Sequence, residues 1–124
     1  MTFANDARIY EKIVELHEEM VNEWKAESPD PDFITQCMFQ SIPTVFSKHS
    51  LEKGGNMLGL DQETDNVVML LVDIAVKSAE LEVLAREKLM AFGKAMQDYA
   101  ASVDGLVKWE YLNYADGTQV RIAH

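Results

Sequence analysis

Residues 67–76 read VVMLLVDIAV, and this stretch decides the fold. Val67, Val68, Val72, Ile74 and Val76 are β-branched, and apolar residues fill both parities. A run of that kind reads as a central strand with both faces buried, because no polar side alternates with the apolar one, with a helix as the lesser alternative. It is far short of the ~20 residues needed to span a bilayer as a helix. Asp73 is its one charged residue. A carboxylate inside such a strand is costly unless it is exposed, paired or beside a cavity.

Downstream, Ser78 is a cap for a long helix, with Glu80 and Glu82 favourably placed in its first turn. Leu81, Leu84, Ala85, Leu89, Phe92, Met96, Tyr99, Ala100 and Val103 form its apolar stripe, and Gly105 reads as the left-handed residue that ends it. Lys108 to Tyr114 reads as a last strand before the turn at Asp116-Gly117. Upstream, Asp61 to Asn66 is a polar loop, Met57-Leu58 a short strand and Gly54-Gly55-Asn56 a turn. Thr44 to Lys53 is polar and carries no clear period.

Phe33 to Ile42 is a second strand, closed by Pro43. One face carries Phe33, Thr35, Cys37 and Phe39, and the other Ile34, Gln36, Met38 and Gln40. Before it, Ser28-Pro29-Asp30-Pro31 stops a first helix that runs from Asn5 to Trp24, with a cap at Asn5 or Asp6. Ile9, Ile13, Leu16, Met20 and Trp24 are the stripe of that helix. The sum is an α+β fold: an antiparallel β-sheet with two long helices packed on one face, leaving the other face for a ligand or partner.

The whole chain, residues 1–124, is expected to be a single domain. Eleven basic against 21 acidic residues give a net charge of −10. That balance excludes nucleic acid and an anionic membrane surface as partners. The single Cys37 excludes an internal disulfide, and with no apolar leader in the first twenty residues the expected location is cytoplasmic.

His17, His49 and His124 show no ligand spacing, so no metal is expected. Three features carry chemistry instead. Asp73 interrupts an apolar strand; Gln36, Met38 and Gln40 share one strand face; Trp109, Tyr111 and Asn113 share another. If these faces meet, they line an apolar pocket with a few convergent polar groups, the composition of a small-molecule site. Asp73, Tyr111 and His49 are then the candidates for proton transfer, and Gln36, Met38, Gln40, Trp109 and Asn113 the candidates for substrate binding.

The blocks Phe39-Gln40-Ser41-Ile42-Pro43, Gly54-Gly55-Asn56-Met57-Leu58-Gly59-Leu60-Asp61 and Tyr111-Leu112-Asn113-Tyr114-Ala115-Asp116 occur in an order and spacing that resembles the C-terminal substrate-binding region of fungal FAD-linked, berberine-bridge-like oxidoreductases. The resemblance covers residues 32–116. It implies that Tyr111, Asn113 and Gln40 face a substrate pocket and that the substrate comes from natural-product chemistry. Such enzymes are several times longer and hold their flavin mainly on another domain, so the resemblance implies a substrate half with no cofactor of its own. The expected function is a cofactor-independent cyclase or isomerase acting on a hydrophobic secondary-metabolite intermediate. The alternatives are a non-catalytic binding protein, an accessory subunit of a separate FAD-linked oxidoreductase, or a truncated product without function. Open sheet edges invite pairing, so a homodimer is expected.

Overall fold

The computed structural model describes residues 1–30, 32–55 and 64–111. The elements are β1 (Thr2–Ala4), α1 (Ala7–Glu27), β2 (Ile34–Ile42), α2 (Thr44–Glu52), β3 (Val67–Ala75), α3 (Ala79–Ser102) and β4 (Leu106–Val107). The strands form one sheet in the order β2-β3-β1-β4, every neighbouring pair antiparallel. β1 and β2 therefore run parallel with β3 between them, and β3 and β4 run parallel with β1 between them. Two split β-α-β units interleave.

Both long helices start and stop where local chemistry dictates. The Asp6 carboxylate accepts from the Arg8 backbone N–H at the start of α1. α1 continues three residues past Trp24, because Pro29 restricts only the residue before it, Ser28. Ser78 Oγ accepts from the Leu81 N–H and starts α3. α1 buries Ile9, Ile13, Met20 and Trp24, and α3 buries Leu81, Ala85, Phe92, Met96 and Ala100. These stripes close over one sheet face, where Phe3, Val68 and Leu70 complete the core with Cys37, Val72 and Ile74 at its margin. Lys88 on α3 ties the helices together through Glu23 and Glu27 of α1 at 3.1 and 2.9 Å.

Five expectations need correction. β1 is a strand that three residues are too short to announce, yet it lies in the middle of the sheet with Phe3 fully buried. Thr44–Glu52 is a helix, although its apolar side chains Val45, Phe46 and Leu51 point to solvent and leave no stripe to read. β3 is central, but only Val67 to Leu70 are buried; from Leu71 onward the strand is half-exposed, because β1 pairs with it only over Val67 to Met69 and leaves β2 as its one strand neighbour beyond. Among the described residues the last strand is Leu106–Val107, and Lys108 to Tyr111 are in none, because β1 offers only Thr2 and Phe3 as pairing partners; residues 112–114 and the turn at Asp116-Gly117 lie outside the described residues. The left-handed residue closing α3 is Asp104, with φ 56°, and not Gly105. Gly105 is needed for space, since a Cβ there would collide with Ile9 Cδ1. Met57-Leu58 lies outside the described residues.

Among the described residues no helix is long and apolar enough to cross a membrane.

Candidate functional site

Residues directly opposite in an antiparallel pair project from the same face. The register sets Thr35, Cys37 and Phe39 against Ile74, Val72 and Leu70, all toward the helices. The other parity points away from them. There Ile34 pairs with Ala75, Gln36 with Asp73, Met38 with Leu71, Gln40 with Met69 and Ile42 with Val67. Thr2 of β1 continues the Gln40–Met69 row. Four of the eight sequence-derived site residues, Asp73, Gln36, Met38 and Gln40, thus meet on one sheet face.

That face is graded. On the β1 side Thr2, Val67 and Met69 are buried. On the β2 side Ile34 is 65% and Met38 41% exposed, Gln36 and Gln40 are exposed, and Leu71 and Asp73 are half-buried. Met38, Leu71 and Ile34 make an apolar floor, crossed by the Gln36–Asp73 rung and bounded by Gln40. Among the described residues neither the Asp73 carboxylate nor the two amides have a hydrogen-bond or ion-pair partner. An amide both donates and accepts, and a carboxylate accepts strongly, so the patch can hold the hydroxyl and carbonyl groups of an otherwise apolar molecule.

The other candidates are placed elsewhere. Trp109 and Tyr111 follow β4 outside any strand and stack on each other, ring centroids 6.2 Å apart at 22°. Burial lowers the Met1 ammonium pKa below its ordinary value, and Glu110, between the two rings in sequence, acts in the opposite direction. His49 is exposed on α2, where Nδ1 lies 3.4 Å from Glu52. Its partner is one helical turn away and its strand pairing is nil, so the register does not bring it to Asp73. Asn113 lies outside the described residues.

A support behind Asp73 was not foreseen. Thr35 Oγ1 donates to the Asp73 backbone carbonyl at 2.7 Å, and His17 Nε2 lies 3.0 Å from the same hydroxyl. With its proton committed to the carbonyl, Thr35 Oγ1 can only accept, so His17 Nε2 carries the hydrogen. The His17 ring also packs edge-on against Phe92, centroids 6.2 Å apart. The signal in the sequence was weak: a histidine flanking an apolar stripe.

Burial lowers the His17 pKa below its ordinary value of 6.5. The neutral ring is favoured in the folded state, so its contribution is complete above about pH 6.5 and is lost as pH falls through the lowered folded value. The melting temperature should therefore fall on acidification below pH 6.5 by more in the parent protein than in His17→Gln. Equal pH slopes in a calorimetric series on both would refute the role.

Cys37 lies on the helix-facing side of β2, and burial pushes its thiol up to about 11. Thiolate is the reactive form. Iodoacetamide labelling at pH 8 should run on the order of 100-fold slower than for an exposed cysteine. A rate like that of a free thiol would show that Cys37 is accessible and its strand face open.

The chain is similar to two curated fungal proteins. It is 33% identical over 122 residues to the FAD-dependent monooxygenase drtC of Aspergillus calidoustus, a stretch covering 96% of this chain and 23% of that protein. It is 27% identical over 118 residues to the FAD-dependent monooxygenase sdcF of Emericella nidulans, covering 95% of this chain and 25% of that one. The chain thus spans about a quarter of the length of these relatives. No protein-family model matches it, and no solved structure does.

The starts of the two long helices do not fit a flavin dinucleotide. A pyrophosphate is held by free backbone N–H groups at a helix N-terminus and by cations. Here Asp6 occupies the start of α1, and Ser78 with Glu80 and Glu82 the start of α3, in a chain of net charge −10.

Proposed function

We propose that this chain supplies the substrate-binding side of an FAD-linked oxidoreductase of the berberine-bridge-like kind, acting on a hydrophobic secondary metabolite, with the flavin held by other polypeptide. The observation that carries this reading is the Gln36–Asp73 rung on an open apolar sheet face. The similarity to two FAD-dependent monooxygenases over nearly the whole of this chain supports it. The apolar body of the substrate lies on Met38, Leu71 and Ile34. Gln36 and Gln40 orient its oxygens, and the Asp73 carboxylate accepts from a hydroxyl. Thr35 and His17 keep the Asp73 backbone in place from behind the sheet.

A chimera tests it. This chain replaces the matching stretch of drtC, and flavin absorbance and product formation on the drtC substrate are measured. Flavin retention with turnover is expected. Asp73→Asn should then raise KM by about 10- to 100-fold, the worth of one hydrogen bond to a charged group. A folded, flavin-loaded chimera whose KM is indifferent to Asp73→Asn and Gln36→Leu would overturn the assignment.

The second reading is a cofactor-independent cyclase or isomerase. It is favoured by the Asp73 carboxylate, which has no described partner and sits beside an amide on an apolar floor, a setting suited to proton transfer within a held intermediate. Conversion of a polyene or polyketide intermediate by the chain alone, lost in Asp73→Asn, would select it. Neither mechanism assigns a role to Tyr111 or His49, which the β2–β3 register does not bring to Asp73.

A further inference from the structure

We propose that β2 is the seam of a two-fold homodimer in which two copies of the chain pair antiparallel about Met38, merging their sheets into one. The outer edge of β2 ends the strand order, and β2 is nine residues long. Natural edge strands are blunted by charge, proline, a bulge or short length. β4, at the opposite edge, is blunted by being only two residues. β2 carries none of these devices. Its sequence ITQCMFQSI contains no charged side chain, and the charge-free run extends from Phe33 to Ser47. Two chains of net charge −10 repel each other, and a charge-free line is where they approach at least cost.

The order of residues names the occupant. Read outward from Met38 in both directions, the strand gives Cys37 and Phe39, Gln36 and Gln40, Thr35 and Ser41, Ile34 and Ile42. A two-fold interface requires that when residue i meets j, j also meets i. Pairing about Met38 sets Gln36 against the partner's Gln40, two amides that can exchange hydrogen bonds, and Ser41 against the partner's Thr35, of similar size, whose hydroxyl stays on the Asp73 carbonyl and His17. Ile34, 65% exposed in one copy, meets the partner's Ile42. A slip of the two-fold centre to Cys37 or Phe39 sets Gln36 or Gln40 against methionine and breaks every match. The strand register ends at Ile42, where Pro43 opens α2.

In this dimer all long helices lie on one side. The two Gln36–Asp73 rungs lie on the other, flanking the seam on one continuous surface. Among the described residues the edges left in the merged sheet are the two-residue β4 strands, too short to invite further pairing.

Sedimentation velocity and register-specific cross-linking test this on the full chain. The parent should sediment as a dimer at micromolar concentration. Met38→Lys, at a side chain exposed enough for the protomer to tolerate it, opposes two ammonium groups at the axis and should weaken the dimer by at least about 100-fold with unchanged circular dichroism. In a Cys37→Ser background, Met38→Cys should oxidise to a covalent dimer, because directly opposed strand residues lie within disulfide reach. Gln40→Cys should cross-link poorly by itself and well when mixed with Gln36→Cys. A folded monomer throughout, a dimer indifferent to Met38→Lys, or equal cross-linking at 38 and 40 would overturn the seam. The proposal rests on β2 and not on substrate chemistry, so an inert Asp73 leaves it standing.

Discussion

Phe3→Ala is expected to cost about 3–5 kcal/mol of folding stability, the range for deleting a fully buried aromatic side chain. Phe3 is 0% exposed in β1, which pairs with β3 on one side and β4 on the other. Its ring meets Tyr10 edge-on at 5.4 Å and Phe39 at 6.4 Å, so it joins β1, α1 and β2 at one point. Removal leaves a cavity that three elements would have to collapse into together. Against a typical total of about 5–15 kcal/mol, the loss brings a domain of this size close to unfolding. Urea denaturation checks it: the midpoint should drop steeply while the slope is kept. A loss under about 1 kcal/mol would mean that β1 is not a core strand.

Trp24 should show the opposite behaviour in two variants. Its side chain is 1% exposed, packed with Leu81 and Ala85 and against the Phe33 ring at 5.5 Å. Trp24→Ala removes that packing and should cost about 3–5 kcal/mol. Trp24 Nε1, however, is buried with no hydrogen-bond partner among the described residues. An unpaired buried donor costs about 1–3 kcal/mol, and Trp24→Phe removes it while keeping most of the ring. The phenylalanine variant should therefore lie within about 1 kcal/mol of the parent. Equal destabilisation by both substitutions would show that Nε1 is in fact satisfied, by water or by a shift of the ring.

The parts of the fold that sequence reasoning reached are those with a local signature. Ser78 before an acidic first turn, Asp6 before a 3.6-residue stripe, and the prolines after Ser28 each act within a few residues, and each helix end follows from them. The two faces of β2 followed from alternation, and the β2–β3 register then joined Gln36 to Asp73. What stayed hidden depends on distance. β1 is a strand because residues some 65 and 104 positions later pair with it, which three residues cannot encode. α2 has no side-chain cap at Pro43 and buries only Ser47, so helical periodicity had nothing to mark. The site was legible as one strand face and illegible beyond it. Trp109 and Tyr111 alternate as if in a strand, yet β1 provides no partner past Thr2 to extend one. The hydroxyl of Thr35 behind Asp73 had no pattern at all, since its contact to His17 crosses from sheet to helix.

The position of β1 also sets a clock. Its partners in β3 and β4 are made long after it, and a ribosome adds about 5–20 residues per second. Thr2 and Phe3 thus wait roughly 5–20 s for Leu106 and Val107 to be synthesised. Throughout that interval α1 can form, but its buried stripe has no finished sheet to cover it. The nascent chain carries Ile9, Ile13 and Trp24 uncovered until nearly all of the described sheet has been made.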